Sequence, residues 1–182
     1  MTSVAIDPGE SGGVAWCDAA GNVDAVKMPD GMTAQMDLLL ELKARLDSLS
    51  GQLPAWIELV NPMPSDGRAS VGVFMRHAGA LDSGLYLCGY SARVVSPVKW
   101  QSAIGVPRLP PLAKDMDQDA RRTELARRKA DRKRWIRDTM QRRYPHLRVT
   151  LNTADALGIL TFALAAKGSP GPTPFHAGTG AE

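Results

Sequence analysis

The sequence predicts an α/β fold, in which short strands and helices follow one another along the chain. Three observations support this prediction. Residues 2–7 alternate between two faces, with Val4 and Ile6 on one of them, as in a strand. Leucine and methionine recur at near-helical spacing over residues 34–48, which predicts an amphipathic helix. Residues 54–60 (PAWIELV) are a short apolar run between prolines, which is typical of a buried strand.

The first three strands are predicted to form an antiparallel meander. Residues 12–19 and 23–28 are strand-like, and AAGN supplies the turn between them. The strand at 54–60 is followed by a predicted loop at 61–70, a helix over 70–88 and a fifth strand at 91–96. A short helix then runs through 98–104, with Pro97 suited to its first turn. The last two predicted elements are a long basic helix from about 119 to 143 and an apolar final helix over 153–168.

Two segments are predicted to lack regular structure. Residues 106–119 contain three prolines, and residues 169–182 have the proline and glycine content of a disordered tail. The 182 residues are enough for one domain with a substantial core, which we place at 1–167, followed by a tail at 168–182.

Composition excludes several classes of protein. The chain has 44% apolar and 23% charged residues, which is ordinary for a globular protein in solution. No stretch approaches the ~20 consecutive apolar residues of a membrane span, and no signal peptide precedes the first strand. Cys17 and Cys88 lie far apart without metal-ligand spacing, so we expect reduced thiols. These features predict a cytoplasmic protein without a membrane partner.

Positive charge is concentrated in one segment. Residues 121–148 contain twelve Lys and Arg residues and three acids, whereas the whole chain has a net charge of only +3. A local excess of nine charges indicates an anionic partner, and nucleic acid is the first candidate. A solvated helix face is the alternative interpretation.

Three carboxylates stand among apolar residues. Asp7 ends the first strand, Glu58 lies within the buried strand, and Asp155 lies in the first turn of the final helix. An ionised side chain in such a place is costly unless it is paired or bound to a metal. Each has a simpler alternative: Asp7 could start a turn, Glu58 could point out of an edge strand, and Asp155 could favour the helix dipole.

Together the three carboxylates fit a site for hard divalent cations, which prefer oxygen ligands. Two such ions ~4 Å apart hold the attacking water and the leaving oxygen of a phosphodiester in line. In this interpretation Gly9, Gly12 and Gly13 let backbone approach the metals or a phosphate beside Asp7. Their spacing, DPGxxGG, does not match the strict dinucleotide or P-loop patterns.

Five segments, in order, carry a resemblance to a known family: AIDPGESGGVAW, WIELV, FMRHAGALDSGL, VVSPVKWQSAIG and, after a basic helix, ADALGILTFAL. They resemble the RuvC-type Holliday junction resolvases of the ribonuclease H-like superfamily, in a form like those of phages and prophages. The resemblance covers about residues 1–167. DPG alone has little specificity, whereas the ordered set is fairly specific.

The resemblance implies a mixed five-stranded sheet, the first three strands antiparallel, flanked by helices. It also implies a homodimeric endonuclease, dependent on two Mg²⁺ or Mn²⁺ ions and on no small-molecule cofactor, that cuts four-way DNA junctions in recombination, repair or phage DNA processing. It places Asp7 at the metal-bridging position, Glu58 at the second-strand position and Asp155 at the last-helix position. These three are the expected catalytic and metal-binding residues.

Where the family often has a further aspartate, three residues before the last-helix position, this chain has Asn152. Its carbonyl oxygen could still serve as a metal ligand, and a helix N-cap is an equally good interpretation. The substitution puts the affinity for the second metal, and the preference between metals, in question.

The resemblance also indicates DNA contacts. Lys99 matches a basic position before the short helix, where a phosphate contact and a solvated lysine are alternatives. Phe74 leads the helix after the 61–72 loop, where family members place a residue near the crossover, although burial is the commoner role of an aromatic side chain. For that reason we expect Trp16 and Trp100 in the core. The DNA contacts predicted from the basic helix are Arg121, Arg122, Arg127, Arg128, Lys129, Arg132 and Lys133.

Three other functions compete with this prediction. An actin- or Hsp70-like ATPase shares the fold, but it needs two such domains and a second phosphate loop. A catalytically weak or inactive protein that binds branched DNA would retain the basic helix, and Asn152 keeps this alternative open. A related nuclease acting on flaps, forks or RNA–DNA hybrids would use the same metal chemistry.

Overall fold

The computed structural model describes residues 2–9, 11–46, 51–59 and 68–166. Within them the elements are, in order, β1 (Ser3–Asp7), β2 (Gly13–Cys17), β3 (Val23–Lys27), α1 (Met32–Leu46), β4 (Leu53–Glu58), α2 (Arg68–Leu87), β5 (Tyr90–Val95), α3 (Pro97–Ala103), α4 (Gln118–Arg143) and α5 (Ala154–Ala165). The predicted tail at 168–182 and most of the predicted loop at 61–70 lie outside the described residues.

The five strands form one mixed sheet in the order β3-β2-β1-β4-β5. The pairs β1–β2 and β2–β3 are antiparallel, whereas β4 pairs in parallel with both β1 and β5. The predicted mixed sheet with three antiparallel strands is therefore confirmed. Because β1 and β4 are parallel neighbours, both bring their last residues to the same edge of the sheet.

The sheet separates two apolar cores. Val4 and Ile6 of β1 belong to the core that contains α1 and α2. Ala5 belongs to the opposite core, which contains residues of α3, α4 and α5. The alternation read from residues 2–7 is thus confirmed, and the next residue on the face of Ala5 is Asp7. The helices that accompany this carboxylate are therefore α3, α4 and α5.

The predicted boundaries agree with the structure to within about three residues. The largest difference in interpretation concerns residues 68–70, which we predicted as loop and which form the first turn of α2. Arg and Ala are strong helix formers, which explains why the helix begins at these residues although the segment before them is rich in proline and glycine. Residues 106–117 contain no helix or strand, as predicted.

None of the helices in the described ranges combines the length and the apolarity needed to cross a bilayer. Cys17 is buried and Cys88 is half-buried, and the structure joins them by no disulfide.

Candidate active site

Asp7 and Glu58 are the last residues of the neighbouring parallel strands β1 and β4. The pairing of these strands aligns Ile6 with Ile57, so the two acids form the next pair along the ladder. Both isoleucines are buried and hold the strand ends in the sheet. The sheet therefore places two carboxylates side by side at its carboxyl edge, which is where α/β folds generally bind ligands.

The third carboxylate comes from α5, which packs against β1 and β2. Asp155 is the second residue of this helix, directly after the N-terminal Ala154. Eight buried residues fix α5 in the core, as its nearly continuous apolar sequence predicted. Because the N-terminus of α5 carries the positive end of the helix dipole, this end of the helix favours an acid.

Two glycines permit the close packing at this edge. A Cβ on Gly13 would lie 2.6 Å from the backbone oxygen of Asn152 and would displace the start of α5. A Cβ on Gly12 would collide with the backbone oxygen of Asp7. The structure thus gives a reason for these two glycines that the sequence did not predict, namely that they accommodate the protein's own backbone. Their predicted role beside a metal or phosphate stays a prediction. For Gly9 an added Cβ would meet only ordinary contacts, at 3.7 Å or more.

Burial and mutual repulsion make it costly to ionise the three carboxylates together. The pKa of Asp7 rises to about 7, because burial disfavours its charged form and because Asp155 and Glu58 repel it. Burial is also the main reason why the pKa of Glu58 and the pKa of Asp155 are raised. Acids with such perturbed pKa values, brought together from three elements, are typical of functional sites.

Two basic side chains of α4 favour the ionised form of these acids and so oppose the effect of burial. Lys133 lowers the pKa of all three acids, and Arg132 lowers that of Glu58 and that of Asp155. Ile136 and Met140 are buried and anchor the C-terminal half of α4 in the core. Lys133 lies one helical turn before Ile136 and therefore on the inward side of the helix. The sequence predicted both basic residues as DNA contacts but did not reveal their proximity to the acids.

Glu58 also has a neutral partner. The indole Nε1 of Trp100 donates a 2.8 Å hydrogen bond to Oε1 of Glu58, and this bond lowers the pKa of Glu58 against the effect of burial. Trp100 is fully buried and Trp16 nearly so, as predicted. The contact between Trp100 and Glu58 was not predicted; the only signal for it is that a buried indole N–H usually requires an acceptor.

The donor chemistry of this cluster suits a hard divalent cation, since Asp7, Glu58 and Asp155 all offer carboxylate oxygens. A cation would also relieve the repulsion that raises the pKa of Asp7. In the part of the chain that the structure describes, no three Asp, Glu, His or Cys side chains already converge on one ion position.

Asn152 lies in the turn before α5. The N-cap of this helix is Thr153, so the alternative that Asn152 is the N-cap is wrong. The backbone oxygen of Asn152 faces Gly13, and the residue lines an open cavity together with Ser11 and His77. Its role as a metal ligand stays a prediction.

Two further predicted DNA contacts belong to α3 and α2. Lys99 is exposed on α3, next to Trp100. Phe74 belongs to α2, and its side chain is outside what the structure describes. Their contacts with DNA also stay predictions.

The N-terminal half of α4 is an exposed basic surface whose arginines partly pair with acids of the same helix. Glu124 binds Arg127 and Arg128 with N–O distances of 2.7 and 2.8 Å, and Arg127 also contacts Asp131. Arg128 further donates to the backbone oxygen of Pro110. Ion pairs at the surface contribute little to stability, so a phosphate can replace them at little cost. The other predicted contacts on the exposed surface of α4 are Arg121, Arg122, Lys129 and Arg132.

The mixed sheet, its flanking helices and the acids at its carboxyl edge define an α/β protein with a ribonuclease H-like fold. Among solved structures, the chain is similar to T. thermophilus RuvC in complex with Holliday junction substrate, with a TM-score of 0.55, 12% identity, and coverage of 92% of this chain and 95% of that one. A second structure of Thermus thermophilus RuvC matches with 14% identity, a TM-score of 0.47 and the same coverage.

No model of a known protein family matches the sequence, and no curated protein matches it either. At 12% identity and a TM-score of 0.55, the similarity to the first of these structures establishes the fold alone.

Proposed function

We propose that this protein is a divalent-metal-dependent endonuclease that cuts branched DNA, with the four-way junction as its main substrate. One observation carries the proposal: Asp7, Glu58 and Asp155 come from three separate elements and share one edge of the sheet, where they influence one another's ionisation. The structural similarity to a RuvC bound to a Holliday junction supports the choice of substrate. We further propose a form like those of phages and prophages, which the five ordered segments resemble.

In the proposed mechanism the three carboxylates hold the metal ions. Mg²⁺ or Mn²⁺, when bound, would supply an activated water and would stabilise the leaving oxygen of the phosphodiester. The protein's own contribution is to orient the carboxylates: β1 and β4 fix two of them, and α5 fixes the third. Lys133 and Arg132 lie where they reduce the negative potential that these acids would present to a phosphate.

The basic surface of α4 would hold the DNA backbone. A contact between a cationic side chain and a phosphate carries no sequence information, so selectivity for branched DNA must come from the spacing of two such surfaces. A two-fold dimer meets this requirement, because its axis can coincide with that of a four-way junction.

The outer side of α2 is our candidate for the dimer interface. Leu81 and Leu85 of this helix are buried against the protein's own core, whereas Met75, Tyr86 and Leu87 are exposed by 51%, 77% and 81%. Analytical ultracentrifugation with and without junction DNA is expected to show a dimer that Leu87→Lys weakens. The matched control is Leu109→Lys, an exposed leucine outside α2. A monomer that cuts both strands of a junction would contradict the dimer.

The main test is a cleavage assay with four substrates: a four-way junction, a fork, a linear duplex and an RNA–DNA hybrid, each with Mg²⁺, Mn²⁺ or EDTA. We expect paired cuts in the junction that require metal and that Asp7→Asn abolishes while DNA binding is retained. Asp37→Asn, which removes an exposed acid from α1, is the control for a general effect of charge. Cleavage by Asp7→Asn at the wild-type rate would refute the proposed site.

The same assay decides between the competing functions. Binding to the junction without cleavage in either metal would indicate an inactive branched-DNA-binding protein. Faster cleavage of the fork or the hybrid than of the junction would indicate a related nuclease with a different substrate.

A further inference from the structure

One buried indole ring links the strand acid Glu58 to the helix that carries Asp155. Trp100 of α3 has no exposed surface, and its Nε1 lies 2.8 Å from Oε1 of Glu58. Among the residues that the structure describes, no other side chain hydrogen-bonds to this carboxylate. The indole therefore holds one oxygen of Glu58 and leaves the second oxygen available to another partner.

The ring of Trp100 packs against Gly158 of α5. A Cβ at this glycine would lie 2.6 Å from Cζ3 and 3.0 Å from Cε3 of the indole, and 3.3 Å from Cδ1 of Ile104. No larger residue fits there unless the ring moves. Because Gly158 follows Asp155 by three residues, the two positions share a face of α5. The same ring thus contacts one acid directly and the helix of another.

A second tryptophan in the same core shows that burial alone does not produce such a contact. Trp56 is also almost completely buried, lies two residues before Glu58 in β4 and packs edge-on against Phe162. Within the described residues its Nε1 has no hydrogen-bond partner. The fold therefore tolerates a buried indole without an acceptor, and the pairing of Trp100 with Glu58 is a specific feature.

From this geometry we infer that Trp100 is a positioning residue for Glu58, holding one carboxylate oxygen so that the other is oriented to bind a divalent cation. Gly158 sets the depth of the indole ring. The inference rests on the proposed function, since it assigns Glu58 to a metal site. Partners that orient a metal ligand in this way typically contribute roughly 10–100-fold to metal affinity.

The first measurement is calorimetric titration of the full chain with Mg²⁺ and with Mn²⁺. Trp100→Phe keeps an aromatic ring in the core but removes the N–H donor, and we expect it to raise the Kd for metal by roughly 10–100-fold. Trp56→Phe removes the same group from the same core and is expected to leave the Kd unchanged. Equal Kd values for Trp100→Phe and wild type would overturn the inference, and so would equal losses in both variants.

The second measurement needs no metal and does not depend on the folding of a tryptophan variant. In the ¹⁵N-labelled protein in EDTA, the indole N–H signal of Trp100 is expected to move when Glu58→Gln replaces the charged acceptor by a neutral one. The signal of Trp56 serves as the internal reference. An unmoved Trp100 signal would show that the hydrogen bond is absent in solution and would refute the inference. Gly158→Ala is expected to move the same signal, because it displaces the ring.

The two measurements separate the two hypotheses. If the wild-type protein binds neither metal, the proposed function fails, and the indole signal alone decides whether Trp100 positions Glu58. If the wild type binds metal and Trp100→Phe binds it equally well, the inference fails and the proposed function stands.

Discussion

Replacing Asp7 by asparagine is expected to stabilise the metal-free protein at pH 8, although the same change abolishes the proposed activity. Asp7 has an ordinary pKa of 3.8 in the unfolded chain and a pKa of about 7 in the fold, where burial and two neighbouring acids oppose its ionisation. Since the folded-state pKa is the higher one, the wild type loses stability as the pH rises from about 4 to 7. An asparagine does not ionise and avoids this loss.

The magnitude follows from the two pKa values. Each pH unit between 3.8 and about 7 corresponds to about 1.4 kcal/mol, so ionising Asp7 costs the folded state about 4 kcal/mol above pH 7. A buried amide with an unsatisfied group costs about 1–3 kcal/mol, which leaves a net gain of about 1–3 kcal/mol. For a chain of this size the gain corresponds to an increase in Tm of roughly 2–12 °C.

The assay is thermal unfolding in EDTA at several pH values, with Asp37→Asn as the exposed-acid control. The advantage of Asp7→Asn is expected to be full at pH 8 and to disappear between about pH 4.5 and 6. Below about pH 4 the variant is expected to be the less stable protein, because Asp7 is then protonated in both states and only the cost of the buried amide remains. Saturating Mg²⁺ is expected to stabilise the wild type more than the variant, because the ion binds the folded state through this carboxylate. A variant that is less stable than the wild type at pH 8 in EDTA would refute the electrostatic description of the site.

Three further predictions concern other parts of the molecule. Gly13→Ala is expected to lower the free energy of unfolding by about 1–3 kcal/mol, because its Cβ would lie 2.6 Å from a backbone oxygen. The control is Gly79→Ala, whose Cβ would have no neighbour within 4 Å and which should not destabilise α2. Thermal unfolding measures both variants. Asn152→Asp is expected to lower the metal concentration for half-maximal cleavage, and an unchanged value would exclude Asn152 as a ligand. In DNA-binding titrations, the slope of log K against log salt is expected to decrease in size by about 2–3 when three exposed cations in the N-terminal half of α4, Arg121, Arg122 and Lys129, are changed to Gln. An unchanged slope would indicate a solvated helix face.

The sequence by itself determined the order and type of the elements. Periodicity and turn residues are local properties, so β1, α4 and α5 could be predicted from their own residues to within about three positions. The three candidate acids could also be identified from the sequence alone, because a carboxylate within an apolar run is unusual whatever its neighbours in the folded structure are. The excess of positive charge in residues 121–148 was visible in the same way.

Only the tertiary structure decided which residues meet. Glu58 lies beside Asp7 because β4 pairs with β1 rather than with β3, and its hydrogen bond to Trp100 joins positions 42 residues apart. The role of Gly13 likewise depends on where the start of α5 packs. Spacing along the chain carries no information about such contacts, since they result from strand pairing and from the burial of helix faces formed by residues far away in sequence.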